Sequence, residues 1–181
     1  ENDYLVNTIE KDSTRNMDEA LIEIYEKLRP GEPATLDSSK NQLVTRFFDR
    51  FRYDLAKVGR YKFNKKLNVL DRLLGCTLAE DIKDGKKIVV PKGTVVTKEV
   101  RELIRPLFEN GGNLKKTIIN EELDNYDKIQ EVLVYDKENP EKVIKIIGND
   151  PATDVRRLTI PDVYASVSYY LNLHDNIGNT D

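Results

Sequence analysis

The sequence is poor in the residues that build redox and metal chemistry: one cysteine, one methionine, one histidine and no tryptophan. A lone Cys76 excludes an internal disulfide framework, and with His174 as the sole imidazole there is no Cys/His cluster to hold a structural zinc ion. Long apolar runs are also missing. None approaches the roughly 18 residues that span a bilayer, and the acidic start Glu1-Asn2-Asp3 is opposite in charge to a signal peptide. The expectation is a protein of the reducing cytoplasm with no membrane partner. There is no P-loop, no dinucleotide fingerprint, no internal repeat and no low-complexity segment. Nucleophilic catalysis needs an activating base and an orienting third group, and neither His174 nor Cys76 has such a constellation. His174 reads as a structural or surface histidine at the polar end of a helix, and Cys76 as a small buried apolar side chain. The pair Glu121-Glu122 reads as solvated loop. No catalytic residue and no metal ligand are expected.

What remains is a globular composition with a wet surface: 181 residues, 34% charged and 39% hydrophobic, enough for one good-sized domain or two small ones. The chain begins without Met and stops at Thr180-Asp181 with no tail composition, so a segment of something longer is expected. The net charge of −3 hides an uneven distribution. Lys40 to Leu67 carries nine basic residues (Lys40, Arg46, Arg50, Arg52, Lys57, Arg60, Lys62, Lys65, Lys66) against Asp49 and Asp54, a local balance of +7 in an otherwise acidic protein. The stripe is interleaved with Phe47, Phe48, Phe51, Tyr53, Tyr61 and Phe63. Such a mixture neutralises phosphates while rings stack, and equally it describes a charged helix surface over an aromatic core; composition leaves both open.

Periodicity gives the elements. The β-branched run Tyr4 to Ile9 predicts a strand. Asn16 with Glu19 predicts a capped helix carrying Met17, Ala20, Leu21, Ile24 and Leu28 on one face, stopped by Leu28-Arg29-Pro30-Gly31. Thr35 predicts a second helix with Leu43, Val44, Phe47 and Phe48 as its apolar face, and a third runs from about Asp54 to Leu67 through Gly59. Then the texture changes. Thr77 to Ala79 and Ile88 to Val90 flank the hairpin signal Asp84-Gly85, Pro91-Lys92-Gly93 is a turn, and Thr97 caps a helix to Phe108. Leu114 to Ile119, Ile129 to Tyr135 and Val143 to Ile147 predict strands, before a helical pattern returns after Thr159-Ile160-Pro161-Asp162 with Val163, Val167, Tyr170 and Leu171 on one face. The class predicted is α+β: a helical segment, residues 1–67, a small β-rich module with one helix inserted at 68–158, and a returning helix at 159–181. Between the first two capped helices, Arg29-Pro30-Gly31-Glu32-Pro33 is a stiff loop that displays Arg29 and Glu32 with little conformational entropy left to lose.

Asp18 to Tyr25, Leu28 to Pro33, Arg52 to Leu67 and Tyr170 to Asp181, in that order, closely resemble the lobe region of the β subunit of bacterial DNA-directed RNA polymerase. The middle, from Asn68 to Leu158, resembles the lineage-variable insertion there, the external domain, and Gly75 to Asp81 and Pro91 to Thr94 are similar to small β modules of both large polymerase subunits; the sequence departs from the family pattern at Ala34 and around Arg50-Phe51. The resemblance implies a non-catalytic piece of a nucleotidyltransferase, nucleoid-associated in the cytoplasm, that forms part of the DNA cleft wall. Residues 29–35 are then similar to the gate loop (Pro30, Gly31, Glu32, Pro33, Thr35), Arg29 and Arg52 match positions facing DNA, and Lys57, Arg60 and Lys62 form the basic stripe beside them. Implied partners are the β′, α, ω and σ subunits, duplex and open-complex DNA, and transcription factors on the insert. The catalytic Mg²⁺ of the parent enzyme is held by another subunit, so no cofactor is expected here. A free-standing nucleic-acid-binding module and a protein-interaction module built on the acidic insert are the two other classes the residues allow.

Overall fold

The computed structural model describes residues 3–49, 51–110, 114–116 and 128–178, and the chain divides into two compact units, Glu1–Asp54 and Leu55–Asp181.

In the first unit, α1 (Asp3–Lys11) stands where a strand is predicted. A strand must find its hydrogen bonds on a neighbour, and the described residues of this unit contain no other strand. A helix closes its own ladder, Thr8 Oγ1 donates to the Tyr4 carbonyl at 2.7 Å, and Asp3 and Lys11 complement the helix dipole at either end. The helix buries none of its residues. The Asn16 cap is as expected: its side chain accepts from Glu19 N at 2.9 Å and donates to Glu19 Oε1 at 2.7 Å, opening α2 (Met17–Leu28). The buried stripe is rotated from the predicted one, since Leu21 and Tyr25 are inside while Met17 and Ile24 are exposed. Thr35 and Ser38 form a capping box at the start of α3 (Leu36–Leu43), which packs on α2 and loosens into a π-helical turn at Val44–Phe48. At the contact the buried residue is the small Ser39, with its hydroxyl tied back to the Thr35 carbonyl at 2.7 Å. Phe47 and Phe48, expected on the apolar face, are not buried.

The second unit begins with α4 (Ala56–Leu67) and the single turn α5 (Val69–Arg72). An antiparallel sheet follows, centred on β5 (Lys128–Tyr135). β6 (Val143–Asn149) pairs with β5 from Ile129↔Asn149 to Tyr135↔Val143. Along the other edge β4 (Leu114–Lys116) takes one end of β5 and β1 (Thr77–Leu78) the other. The predicted strand to Ile119 is described only as far as Lys116, the rest lying outside the described residues. The hairpin signal at Asp84-Gly85 is real, but its arms are β2 (Ile82–Asp84) and β3 (Lys87–Val90), with Gly85 at φ +58 in the two-residue loop. Thr77-Leu78 joins the main sheet instead. Alternation on β5 and β6 turns Val132, Val134, Ile144 and Ile146 inward against Leu70, Leu73, Ile104 and Phe108, the last two on α6 (Lys98–Glu109).

The last helix, α7 (Ile160–His174), reverses its predicted orientation. Ala165, Ser168 and Asn172 are buried, whereas Val163, Val167 and Tyr170 are exposed. The reason lies in β6, whose outer edge has no partner strand among the described residues. Ser168 Oγ accepts from Ile147 N at 2.9 Å and Asn172 Nδ2 donates to the Lys145 carbonyl at 3.3 Å, so a polar helix face closes a sheet edge.

This packing places the sequence boundaries at 67/68 and 158/159 inside one compact unit. Residues 55–181 expressed alone are expected to give dispersed amide NMR spectra. Residues 68–158 alone are not, because they lack α7, which leaves the β6 edge uncovered and takes from the Arg72 guanidinium its Ser168 and Asn172 partners. Dispersed spectra from the shorter fragment would show that the insert folds by itself.

Candidate nucleic-acid interface

The loop after α2 is built to hold Arg29. Its N–H donates to the Tyr25 carbonyl at 2.8 Å as the helix C-cap, Gly31 takes φ +86, which L side chains rarely adopt, and Pro30 and Pro33 fix the flanks. The Arg29 guanidinium reaches both Glu32 carboxylate oxygens, at 3.3 and 3.2 Å, and the Tyr25 hydroxyl donates to the same carboxylate at 3.0 Å. Those bonds, Arg29 first and Tyr25 second, hold the Glu32 pKa below its ordinary value. Arg29 is therefore displayed as expected, half exposed, but already paired. Thr35 has a structural task as the cap of α3.

Arg52 sits in a turn whose backbone is gathered by Asp49: Phe51 N donates to Asp49 Oδ1 at 2.9 Å, and the N–H groups of Arg52 and Tyr53 to its carbonyl at 3.1 and 2.9 Å. The arginine is exposed, and so are its chain neighbours Phe51, at 83%, and Tyr53, at 48%. Arg50 lies outside the described residues.

In the second unit, Lys57, Lys62, Lys65 and Lys66 are exposed on α4 with Val58 and Tyr61 among them. Arg60 is a correction to the predicted stripe. It is buried, donating from Nη1 and Nη2 to the two Asp162 oxygens at 2.8 and 2.9 Å, and from Nε and Nη2 to the carbonyls of Val155 and Arg157, both at 2.6 Å. Its side chain fastens α4 to α7 and cannot meet a phosphate. The signal was available: Arg60, Asn64 and Leu67 recur at i, i+4 and i+7, the buried face of α4.

Burial pushes the Cys76 thiol above its ordinary pKa, leaving it inert at neutral pH. His174 is exposed at the end of α7, 3.8 Å from Asp175. Among the described residues no group of His, Cys, Asp and Glu is placed to hold a metal ion, and no helix is long and apolar enough to cross a membrane. The sequence reading missed the polar cluster of Asn149, Asp162, Ser168 and Asn172 around Arg60 and Arg72, since none of these residues stands out in composition.

Residues 1–79 match the family model described as RNA polymerase Rpb2, domain 2. The matched stretch is thus similar to a domain of an RNA polymerase. Over its whole length it is 46% identical to the DNA-directed RNA polymerase subunit beta of Geobacillus thermodenitrificans, 44% to that of Enterococcus faecium and 43% to that of Listeria welshimeri. The chain belongs to the bacterial RNA polymerase β-subunit family, and it spans 16% of the length of these relatives.

Proposed function

We propose that the chain forms part of the DNA cleft wall of a bacterial RNA polymerase, with Arg29 and Arg52 touching the DNA backbone. The observation that carries this reading is the display of Arg52, exposed between Phe51 and Tyr53 within the stretch matched by the polymerase family model. Arginine on an open turn neutralises phosphate without reading base edges, and flanking rings offer faces for packing on sugars or bases. On the second unit, Lys57 and Lys62 are exposed cations of its own surface. The Arg29–Glu32 pair holds that guanidinium ready while reducing its pull on DNA until a phosphate displaces the carboxylate.

In this reading the cytoplasmic, nucleoid-associated enzyme is completed by β′, α, ω and σ subunits, the catalytic Mg²⁺ belongs to another of them, and the β-rich module is a surface for transcription factors. The exposed row Val163, Val167 and Tyr170 on α7 supports packing against parts of the β subunit outside this chain. Arg29→Ala and Arg52→Ala in the complete polymerase are each expected to shorten open-complex lifetime and to lower the salt slope by about one unit per lost phosphate contact. Glu32→Gln should lengthen the lifetime, and Lys83→Ala, on the β2–β3 hairpin, should do neither. Wild-type lifetimes and slopes in both arginine variants would remove the DNA-facing assignment.

A further inference from the structure

Arg72 is a buried cation without a counter-ion among the described residues. It is 2% exposed, and its Nη groups donate only to neutral acceptors: the Ile147 carbonyl, Ser168 Oγ at 3.1 Å and Asn172 Oδ1. Its Nε has no hydrogen-bond partner, and its guanidinium carbon lies 5.4 Å from the centre of the Tyr169 ring. Burial draws its pKa down to about 10, which still leaves it charged at neutral pH. Buried charges are ordinarily paired. The neighbouring Asp71 does not serve, because it is engaged by Arg101 at 3.2 Å.

Arg72 and Tyr169 line a cavity of about 580 Å³ in the second unit, within the range of small-molecule sites. Lys65, Lys66, Arg101 and Lys137 also line it, so among the described lining residues five cations stand with one acid, Asp71, and of these Arg101 is paired with Asp71 and with Glu102 at 3.1 Å. The Lys137 ammonium donates to the Asn176 carbonyl at 3.3 Å, which keeps it on the cavity wall. Local potential of this sign concentrates anions.

We propose that this cavity is an oxyanion site that takes a phosphate group, whose charge compensates Arg72 while Lys65 and Lys137 hold its outer oxygens. The site is separate from Arg29 and Arg52, and its failure would leave the cleft-wall reading untouched. The phosphate has two chemical sources, a free phosphate compound or a nucleic-acid backbone.

The test is a calorimetric titration of the 181-residue chain with inorganic pyrophosphate at low salt. Saturable one-site binding is expected, weakened by at least about tenfold in a Lys65→Glu, Lys137→Glu double variant, since two charge-assisted contacts are replaced by repulsion. Both lysines are exposed, so the variant should fold, which circular dichroism checks. Lys83→Glu makes the same kind of charge change away from the cavity and should leave the affinity unaltered. Competition by a short DNA duplex assigns the site to backbone phosphate, and its absence to a free phosphate compound. No saturable binding, or equal loss of affinity in Lys83→Glu and in the double variant, would overturn the proposal.

Discussion

Asp162→Asn is expected to destabilise the Leu55–Asp181 unit by about 3–5 kcal/mol, the usual cost of breaking a buried ion pair from one side. The carboxylate is fully buried and accepts five hydrogen bonds: two from Arg60, one from Asn149 Nδ2 at 2.9 Å, and two from the Thr159 backbone and hydroxyl at 2.9 and 2.8 Å. Asparagine replaces one acceptor by a donor, so donor would face donor on at least one side, and the Arg60 charge would remain with carbonyls alone. The capping box that starts α7 would be damaged as well. With no tryptophan in the chain, the urea transition is followed by circular dichroism, and the midpoint should fall with little change in slope. The Arg60→Met, Asp162→Leu double variant should lose much less than the sum of its parts, because no charge is stranded. A loss under about 1 kcal/mol in Asp162→Asn would show the pair to be dispensable.

The same carboxylate sets an acid limit. Burial alone would raise its pKa, but the hydrogen bonds from Arg60, Thr159 and Asn149 outweigh burial and the value lies below the ordinary one. The folded pKa is thus below the unfolded value of about 3.9. The stabilisation is fully present above that value and is lost as pH falls through the folded pKa. Asp162→Asn should remove this part of the acid dependence.

Gly148→Ala is the second large effect. A Cβ on this β6 residue would sit 2.5 Å from Val69 Cγ2 and 2.7 Å from the Leu67 carbonyl oxygen, where α4 passes into α5. The valine has room to respond only by a rotamer change within the core, and the carbonyl belongs to the backbone. The strand must therefore shift from the helical corner, at about 3 kcal/mol, the upper end of ordinary overpacking. Val69→Ala on top of it should recover only part of the loss, because the Leu67 contact persists. A melting temperature within a degree or two of wild type in Gly148→Ala would contradict the close approach.

Local chemistry was readable in the sequence wherever a residue acts within a few positions of itself. Asn16 with Glu19, Thr35, Thr97, the glycine of the β2–β3 loop and the proline stop after Leu28 all do what their types dictate. Failures share a cause: a distant segment decided the outcome. Tyr4 to Ile9 had strand propensity and, among the described residues of its unit, no strand to pair with. The apolar row on α7 gave the right period and the wrong face, because β6 required hydrogen bonds there. Thr77-Leu78 was paired with the nearest apolar run when β5, far along the chain, was its partner. For the site, Arg29, Arg52 and the exposed lysines of α4 were visible as charge. That Arg60 is internal required its heptad neighbours, and the Arg72 cavity required the fold, since its cations come from four separated stretches.

The closure of β6 by α7 also orders events on the ribosome. Ile147 leaves the exit tunnel 21 residues ahead of Ser168, which will occupy its N–H. During that interval β5 and β6 can already pair while the outer strand still offers unoccupied backbone groups to any other nascent chain. Completion of the final helix, rather than formation of the sheet, is the moment at which this part of the polypeptide ceases to be a template for its neighbours.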